Sequence, residues 1–168
     1  MDIFAHFLWT SAFYWQHPKR WIAGVIGFLP DIFAFGIFFV LALFDGTLSA
    51  GRHGMLLAHA DTIHALYRIS HSFVICAGGL LLLYWLKREW FWISFGWPLH
   101  ILIDMFTHTE QFFPTPILWP ISDFHIGSFS WGEPWFMALN YGTLVALYAV
   151  LIVRFPHSFL KPTRKARR

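Results

Sequence analysis

The chain has 168 residues and a formal net charge of +3, and it is 57% hydrophobic and only 12% charged. Soluble domains carry roughly 25% charged residues, so this composition and the mean hydropathy of +0.54 argue against a water-soluble globule. The lone cysteine, Cys76, excludes an internal disulfide, so the fold does not depend on an oxidising compartment. We expect a membrane protein with one domain over residues 1–168, because no internal repeat or low-complexity linker divides the chain.

Five apolar segments follow one another along the chain. They cover residues 3–16, 21–44, 71–86, 90–107 and 135–155. Spanning a bilayer needs about 20 apolar residues. The second and last segments reach that length alone, whereas the first is short and the third and fourth are marginal. We therefore predict an all-α, polytopic membrane helical bundle of about four to five membrane helices.

Polar regions separate these segments. Residues 45–53 and 108–134 are predicted loops, and the second of them is rich in proline and therefore irregular. Residues 54–68 have a helical pattern, and we expect this helix to continue straight into the third apolar segment. The two would then form one long helix that projects from the membrane.

Basic residues near the segment ends predict the orientation, since cytoplasmic loops carry an excess of Lys and Arg. The basic groups are Lys19 and Arg20, Lys87 and Arg88, and the tail Lys161, Arg164, Lys165, Arg167 and Arg168. Placing all three groups in the cytoplasm gives alternating spans in a bacterial inner membrane. The carboxyl terminus is then cytoplasmic, and residues 45–70 and 108–134 lie outside. We interpret the basic tail as a contact for anionic lipid head groups and expect no nucleic-acid partner.

A polar stripe interrupts the fourth apolar segment. His100, Asp104 and His108 are spaced four residues apart, so on a helix they share one face. An ionisable group at membrane depth is costly and marks a functional site. Imidazole and carboxylate together form the ligand set of zinc and related divalent ions. The stripe therefore predicts a metal site in the centre of the bundle.

Other ionisable residues fall at a similar depth. Counted from the cytoplasmic ends at about 1.5 Å per residue, five of them lie about 15–24 Å deep. These are His6, Asp31, His71, His100 and Asp104. Asp31 follows Pro30, which is expected to break or kink its helix, and broken membrane helices line cavities or sites. Arg68 precedes His71 by about one turn, where its guanidinium could bind a phosphate or carboxylate.

Several motifs at these positions resemble a known family. They are Met1-Asp2…His6, Gly27-Phe-Leu-Pro-Asp31, Arg68-Ile-Ser-His71-Ser72, His100-Ile-Leu-Ile-Asp104-Met-Phe-Thr107-His108 and Ile117-Leu-Trp-Pro120. Together they resemble inner-membrane metal-dependent hydrolases described as LexA-binding or LexA-regulated. The resemblance implies a metal site at His6, Asp31, His71, His100 and Asp104, with His108 nearby. It also implies kinship with zinc-dependent phospholipase C and nuclease-like helical enzymes.

The number of metal ions stays open at this point. In the family, the aspartate after the proline is often followed closely by a second acidic residue, whereas Ile32 and Phe33 follow it here. The ligand set suits one closed site or two ions that share a carboxylate. We expect one or two divalent ions, with zinc as the expected metal.

These features predict a membrane-bound hydrolase that acts on a lipid-like phosphoester or a related ester through metal-activated water. Arg68, His71 and Asp104 are the expected catalytic residues, and a membrane lipid or lipid-like molecule is the expected substrate. Two alternatives stay open. The first is a metal-ion or proton transporter, since intramembrane His and Asp serve there as well. The second is a structural metal site in a membrane scaffold.

The predicted orientation is testable with single cysteines at positions 109 and 163, in a background that lacks Cys76. Thr109→Cys should react with an impermeant thiol reagent from the outer side, and Thr163→Cys only from the cytoplasmic side. Labelling of position 163 from outside would overturn the orientation and the depth estimate that depends on it.

Overall fold

The computed structural model describes residues 1–50 and 58–156. Within these ranges every regular element is helical, and strand pairing is limited to one isolated bridge between Thr109 and Phe112. The prediction of an all-α fold is confirmed for this part of the chain. The basic tail lies outside the described residues, so its contact with lipid stays a prediction.

The helices are short at the amino-terminal end and longest at the carboxyl-terminal end. In order they are α1 Ile3–Phe13, α2 Arg20–Asp31, a π-helical turn Ile32–Gly36, α3 Ile37–Phe44, a 3-10 turn Thr47–Ala50, α4 Ala60–Ser70, α5 Phe73–Leu86, α6 Arg88–Ile93, α7 Gly96–Thr107 and α8 Pro134–Arg154. The carboxylate of Asp2 caps α1, since Oδ1 accepts the Ala5 N–H at 3.0 Å.

Two helices in the described ranges are long and apolar enough to cross a membrane. Arg20–Phe44 has 25 residues and contains an 18-residue stretch with a mean hydropathy of 2.3. Pro134–Arg154 has 21 residues and contains an 18-residue stretch with a mean hydropathy of 2.0. A third span results if the bent pair α4 and α5 is counted as one. By length and composition, the structure thus supports two or three spans. The prediction of four to five membrane helices stays a prediction.

The expectation of one straight helix from residue 54 into the third apolar segment is wrong for the described part. Helices α4 and α5 meet at an angle of 54°. Ser72 has an extended backbone, with φ −100° and ψ 129°, and its hydroxyl accepts the N–H groups of Val74 and Ile75. Ser72 is therefore a helix cap that starts α5 in a new direction. His71 lies at the resulting corner and is fully buried.

Of the two effects expected of Pro30, a break or a kink in its helix, the described structure shows no break. The helical path from Arg20 to Phe44 is continuous, with Pro30 inside α2 and the π-helical turn directly after Asp31. Proline removes one backbone donor from the helix. A π-helical turn is a common local adjustment of a disturbed helix and is frequent at functional sites. The irregular turn therefore lies next to the carboxylate of Asp31.

Small residues let α1, α2 and α7 approach closely. A Cβ atom added at Gly27 would lie 2.2 Å from Thr10 Oγ1, and one at Gly24 would lie 2.2 Å from Ser11 Oγ. At the start of α7, a Cβ on Gly96 would lie 2.9 Å from the Ala23 carbonyl oxygen. Membrane helices pack closely where their interfaces carry small residues. This three-helix contact brings the polar residues of α1, α2 and α7 together.

Helix α8 packs along the opposite side of α1. Leu144 joins Met1 and Ala5 in a buried apolar cluster. Polar anchors fix the register of the two helices, because Trp9 Nε1–H donates to Asn140 Oδ1 at 2.8 Å and the Tyr148 hydroxyl donates to the Leu8 carbonyl at 2.9 Å. The face of α1 that points away from α8 packs against α2 and α7.

The close contact predicts opposite effects for two glycine substitutions. Gly27→Ala should destabilise the protein by about 1–3 kcal/mol, because the new methyl group has to displace Thr10. Gly78→Ala is the matched control, since nothing lies within 4 Å of its added Cβ and alanine favours the helix by up to about 1 kcal/mol. Thermal unfolding of the purified protein in one detergent measures both. Equal stability of the two variants would contradict the packing described.

Candidate metal centre

A group of buried side chains from three helices converges at the junction of α1, α2 and α7. His6, Asp31, His100 and Asp104 each offer one ligand atom, and these four atoms all lie within 4.8 Å of one another. All four residues are buried, and Asp31 is the most exposed at 5%. Nitrogen and carboxylate ligands at this spacing could hold a divalent metal ion.

Asp104 is the centre of this group. Its Oδ1 lies 2.9 Å from His6 Nε2, and its Oδ2 lies 3.2 Å from His100 Nε2. The same Oδ2 is 3.4 Å from His71 Nε2 and 3.5 Å from His108 Nε2. Four imidazoles therefore surround one fully buried carboxylate. The structure brings both histidines of the polar stripe to it, as the four-residue spacing predicts.

Asp31 supplies the second carboxylate of the group. Its Oδ1 lies 3.5 Å from His71 Nε2 and 3.7 Å from His100 Nε2. All six residues that the sequence predicts as metal ligands are therefore close together, including His71 at the corner before α5 and His108 just after α7. We name these six residues the His/Asp cluster.

Backbone carbonyls fix the orientation of two imidazoles. His100 Nδ1 lies 2.7 Å from the carbonyl oxygen of Gly27, and His108 Nδ1 lies 2.9 Å from the carbonyl oxygen of Phe113. A carbonyl oxygen only accepts, so each Nδ1 carries the proton and each neutral ring keeps a lone pair on Nε2. This arrangement orients metal-binding histidines in many proteins. Both Nε2 atoms face Asp104.

His71 is oriented in a similar way. Its Nδ1 lies 3.2 Å from the Tyr67 carbonyl oxygen and 2.8 Å from Ser70 Oγ. With the proton on Nδ1, the lone pair of Nε2 points to His100 Nε2, which is 3.0 Å away. Two arrangements fit this distance: one ring carries a second proton and donates it to the other, or a cation lies beside both lone pairs. Two nitrogens that share one zinc ion at about 2.0–2.1 Å each lie within about 4.2 Å of each other, so this distance suits a shared cation.

Further contacts hold the cluster in place. The ring of His6 stacks on that of His100 at 3.7 Å between centroids, and the ring of Tyr67 stacks on that of His71 at the same distance. Thr107 Oγ1 donates to Asp104 Oδ1 at 3.4 Å. Tyr67 was not singled out from the sequence, although its position four residues before His71 places both on one face of a helical turn.

One cavity reaches the cluster from the protein surface. It has a volume of about 360 Å³ and is lined by Asp31 and His108 among apolar side chains such as Phe35, Phe112 and Trp131. We name it the mouth. Through it, a molecule can reach two of the six cluster residues, and its largely apolar wall suits a substrate with hydrocarbon portions.

Arg68 lies outside the cluster. Its side chain is 51% exposed, and its guanidinium is 3.9 Å from the carboxylate of Asp123. It lines a separate cavity of about 590 Å³ together with Tyr67, His64 and Glu110. Tyr67 is shared between this outer cavity and the cluster, because its ring also stacks on His71. The structure thus brings the six predicted ligands together, whereas the side chain of Arg68 points to Asp123 in the loop of residues 108–134.

No family model, curated protein or solved structure matches the chain. The resemblance to LexA-binding inner-membrane hydrolases therefore depends on the short motifs alone.

The cluster predicts that purified protein binds a divalent metal ion through His100 and Asp104. Replacing either residue with alanine should lower the affinity for that ion at least tenfold, because each supplies a central ligand atom. His125→Ala is the control, since His125 contacts the carbonyl of Asp123 in the outer loop and no cluster residue. Elemental analysis of each purified variant gives metal per chain, and circular dichroism confirms the fold. Wild-type protein that is folded and free of divalent metal would contradict the assignment.

Proposed function

We propose that this protein is a membrane-embedded, metal-dependent hydrolase that acts on a lipid-like phosphoester or a related ester. The observation that carries the proposal is the orientation of three histidines: His71, His100 and His108 each bind a backbone carbonyl through Nδ1 and present Nε2 to Asp104. Such preorganised imidazoles around buried carboxylates are typical of a metal centre. We propose one or two divalent ions, with zinc as the expected metal.

The number of potential ligands supports a catalytic rather than a structural centre. A structural zinc ion is usually closed by four protein ligands, whereas a catalytic one keeps a position for water. The cluster offers six side chains, and the mouth gives access to Asp31 and His108. Bound there, a divalent cation would polarise the ester and supply an activated water at neutral pH.

The chain's own residues have distinct roles in this proposal. Asp104 is the central carboxylate, because its two oxygens face different histidines. His71 Nε2 lies 3.5 Å from Asp31 and 3.4 Å from Asp104, so this nitrogen is placed to coordinate an ion held between the two carboxylates. His6 completes the far side of the group and is fully buried. Among the described residues, the mouth gives water access to Asp31 and His108.

A lipid-like substrate fits the surroundings of the site. The mouth has a volume within the range of about 300–1,000 Å³ that is usual for small-molecule sites, and its wall is mostly apolar. We further propose four to five membrane helices in a bacterial inner membrane, with the carboxyl terminus in the cytoplasm. The two or three long apolar helices support this setting. Membership of the LexA-binding hydrolase family is part of the same proposal.

The proposal predicts hydrolysis that depends on the bound metal. Metal-loaded protein in lipid nanodiscs should hydrolyse at least one member of a panel of lipid phosphoesters, and phosphate analogues should inhibit it. Chelation and Asp104→Asn should each lower turnover at least a hundredfold, since removing a central ligand removes the activated water. His125→Ala is again the control.

Other outcomes of this assay decide between the alternatives. If the metallated protein hydrolyses nothing and moves metal ions or protons into sealed vesicles, it is a transporter. If it does neither and removal of the metal lowers the unfolding temperature, the centre is structural.

The predicted role of Arg68 in binding a substrate anion has its own test. Arg68→Ala should lower turnover while metal content stays unchanged if the guanidinium binds a phosphate oxygen during the reaction. Asp123→Ala is the matched control, because it removes the 3.9 Å ion pair and leaves the guanidinium. Equal, small effects of both substitutions would limit Arg68 to a role in holding the outer loop.

A further inference from the structure

A third cavity lies between α1, α7 and α8. It has a volume of about 760 Å³ and is lined by residues that include Trp9, Phe13, Leu102, Phe106, Leu139 and Asn140. We name it the α1–α7–α8 groove. Phe13 and Leu139 are 73% and 62% exposed, so apolar side chains of the groove are open to a ligand. Its size and lining suit an extended hydrocarbon chain.

One polar side chain in this apolar groove lacks a partner. Asn140 is only 6% exposed. Its Oδ1 accepts the Trp9 Nε1–H at 2.8 Å, and because an indole nitrogen only donates, this contact also fixes which amide atom is Nδ2. Nδ2 is buried and has no hydrogen-bond partner among the described residues. A buried donor without an acceptor is costly. Asn140 lines the groove, so a ligand oxygen that displaces the side chains around Nδ2 would satisfy this donor.

One end of the groove lies close to the His/Asp cluster. Thr107 lines the groove, and its hydroxyl donates to Asp104 Oδ1 at 3.4 Å. Met1 lines both the groove and the mouth, so it stands between the two cavities. A molecule that occupies the groove therefore has one end next to the metal ligands. An amphiphile with a reactive polar group at the end of a hydrocarbon chain matches this layout.

We propose that the α1–α7–α8 groove binds the acyl chain of an ester-linked lipid and that the Asn140 amide donates a hydrogen bond to the ester carbonyl oxygen. The hydrocarbon chain contacts Phe13, Leu102 and Leu139, and the head group extends toward Asp104. This specifies the substrate of the proposed hydrolase as an acylated lipid, and in that sense it rests on the proposed function. Binding in the groove does not itself require turnover.

The test compares two probes that differ by one carbonyl oxygen. A 1-palmitoyl lysophospholipid and its 1-O-hexadecyl ether analogue carry the same head group, but only the first offers an acceptor to Asn140. Native mass spectrometry of the metal-loaded protein in detergent measures the affinity for each and separates intact from cleaved lipid by mass. The ester probe should bind about 3- to 10-fold more tightly to the wild type, the size expected for one net hydrogen bond.

Two substitutions separate the amide from its surroundings. Asn140→Leu should abolish the preference for the ester probe, because it removes the donor at similar side-chain volume. Thr143→Val should keep the preference, since Thr143 also lines the groove, its hydroxyl is occupied by the Leu139 carbonyl, and the substitution leaves the Asn140 amide in place. Metal content identifies any variant that has lost its fold. Equal affinity of both probes for the wild type, or a preference that survives Asn140→Leu, overturns the proposal.

A second pair of variants tests the groove independently of the amide. Leu102→Trp should weaken binding of both probes several-fold, because Leu102 lines the groove and the larger ring fills it. Leu82→Trp is the matched control, since Leu82 is an exposed leucine on α5 that does not line the groove. Equal binding to both variants overturns the location. An ester preference without hydrolysis would leave this inference standing and refute only the proposed reaction.

Discussion

Burial of the Asp104 carboxylate among apolar helices is the constraint on which the centre of this protein depends. A carboxylate removed from water is stable only when cationic or hydrogen-bonding groups compensate for the lost hydration. The Met1 amino group, four imidazoles and the Thr107 hydroxyl perform this role. The imidazoles come from α1, the corner before α5, α7 and the chain just after α7. The helices are therefore assembled around one polar point, and a divalent cation there would neutralise both carboxylates of the cluster.

Close helix packing and histidine orientation depend on the same short stretch of α2. Gly27 has no side chain, which lets Thr10 of α1 approach, and its carbonyl oxygen accepts the Nδ1–H of His100. Pro30 and the π-helical turn follow within the next residues and place Asp31 toward the cluster. One irregular segment thus sets the distance between helices, the tautomer of a histidine and the position of a carboxylate.

The two apolar cavities give the cluster its chemical context. The mouth exposes Asp31 and His108 among aromatic side chains, and the α1–α7–α8 groove approaches Asp104 from the side of α8. A purely structural metal site needs neither opening. Cavities that combine hydrocarbon walls with a few polar atoms are suited to amphiphiles, whose chain and head group need different surroundings.

The sequence by itself determined the helical class and the six candidate ligands, because both leave local signals. Apolar runs and four-residue spacing predict helices and shared faces, and ionisable residues in such runs are rare enough to identify. The tertiary structure alone decided the bend at Ser72, the direction of Arg68 toward Asp123 and the unpaired amide of Asn140. These features depend on how each helix is rotated about its axis against its neighbours. That rotation is set by packing between segments distant in sequence, so no local sequence pattern predicts it.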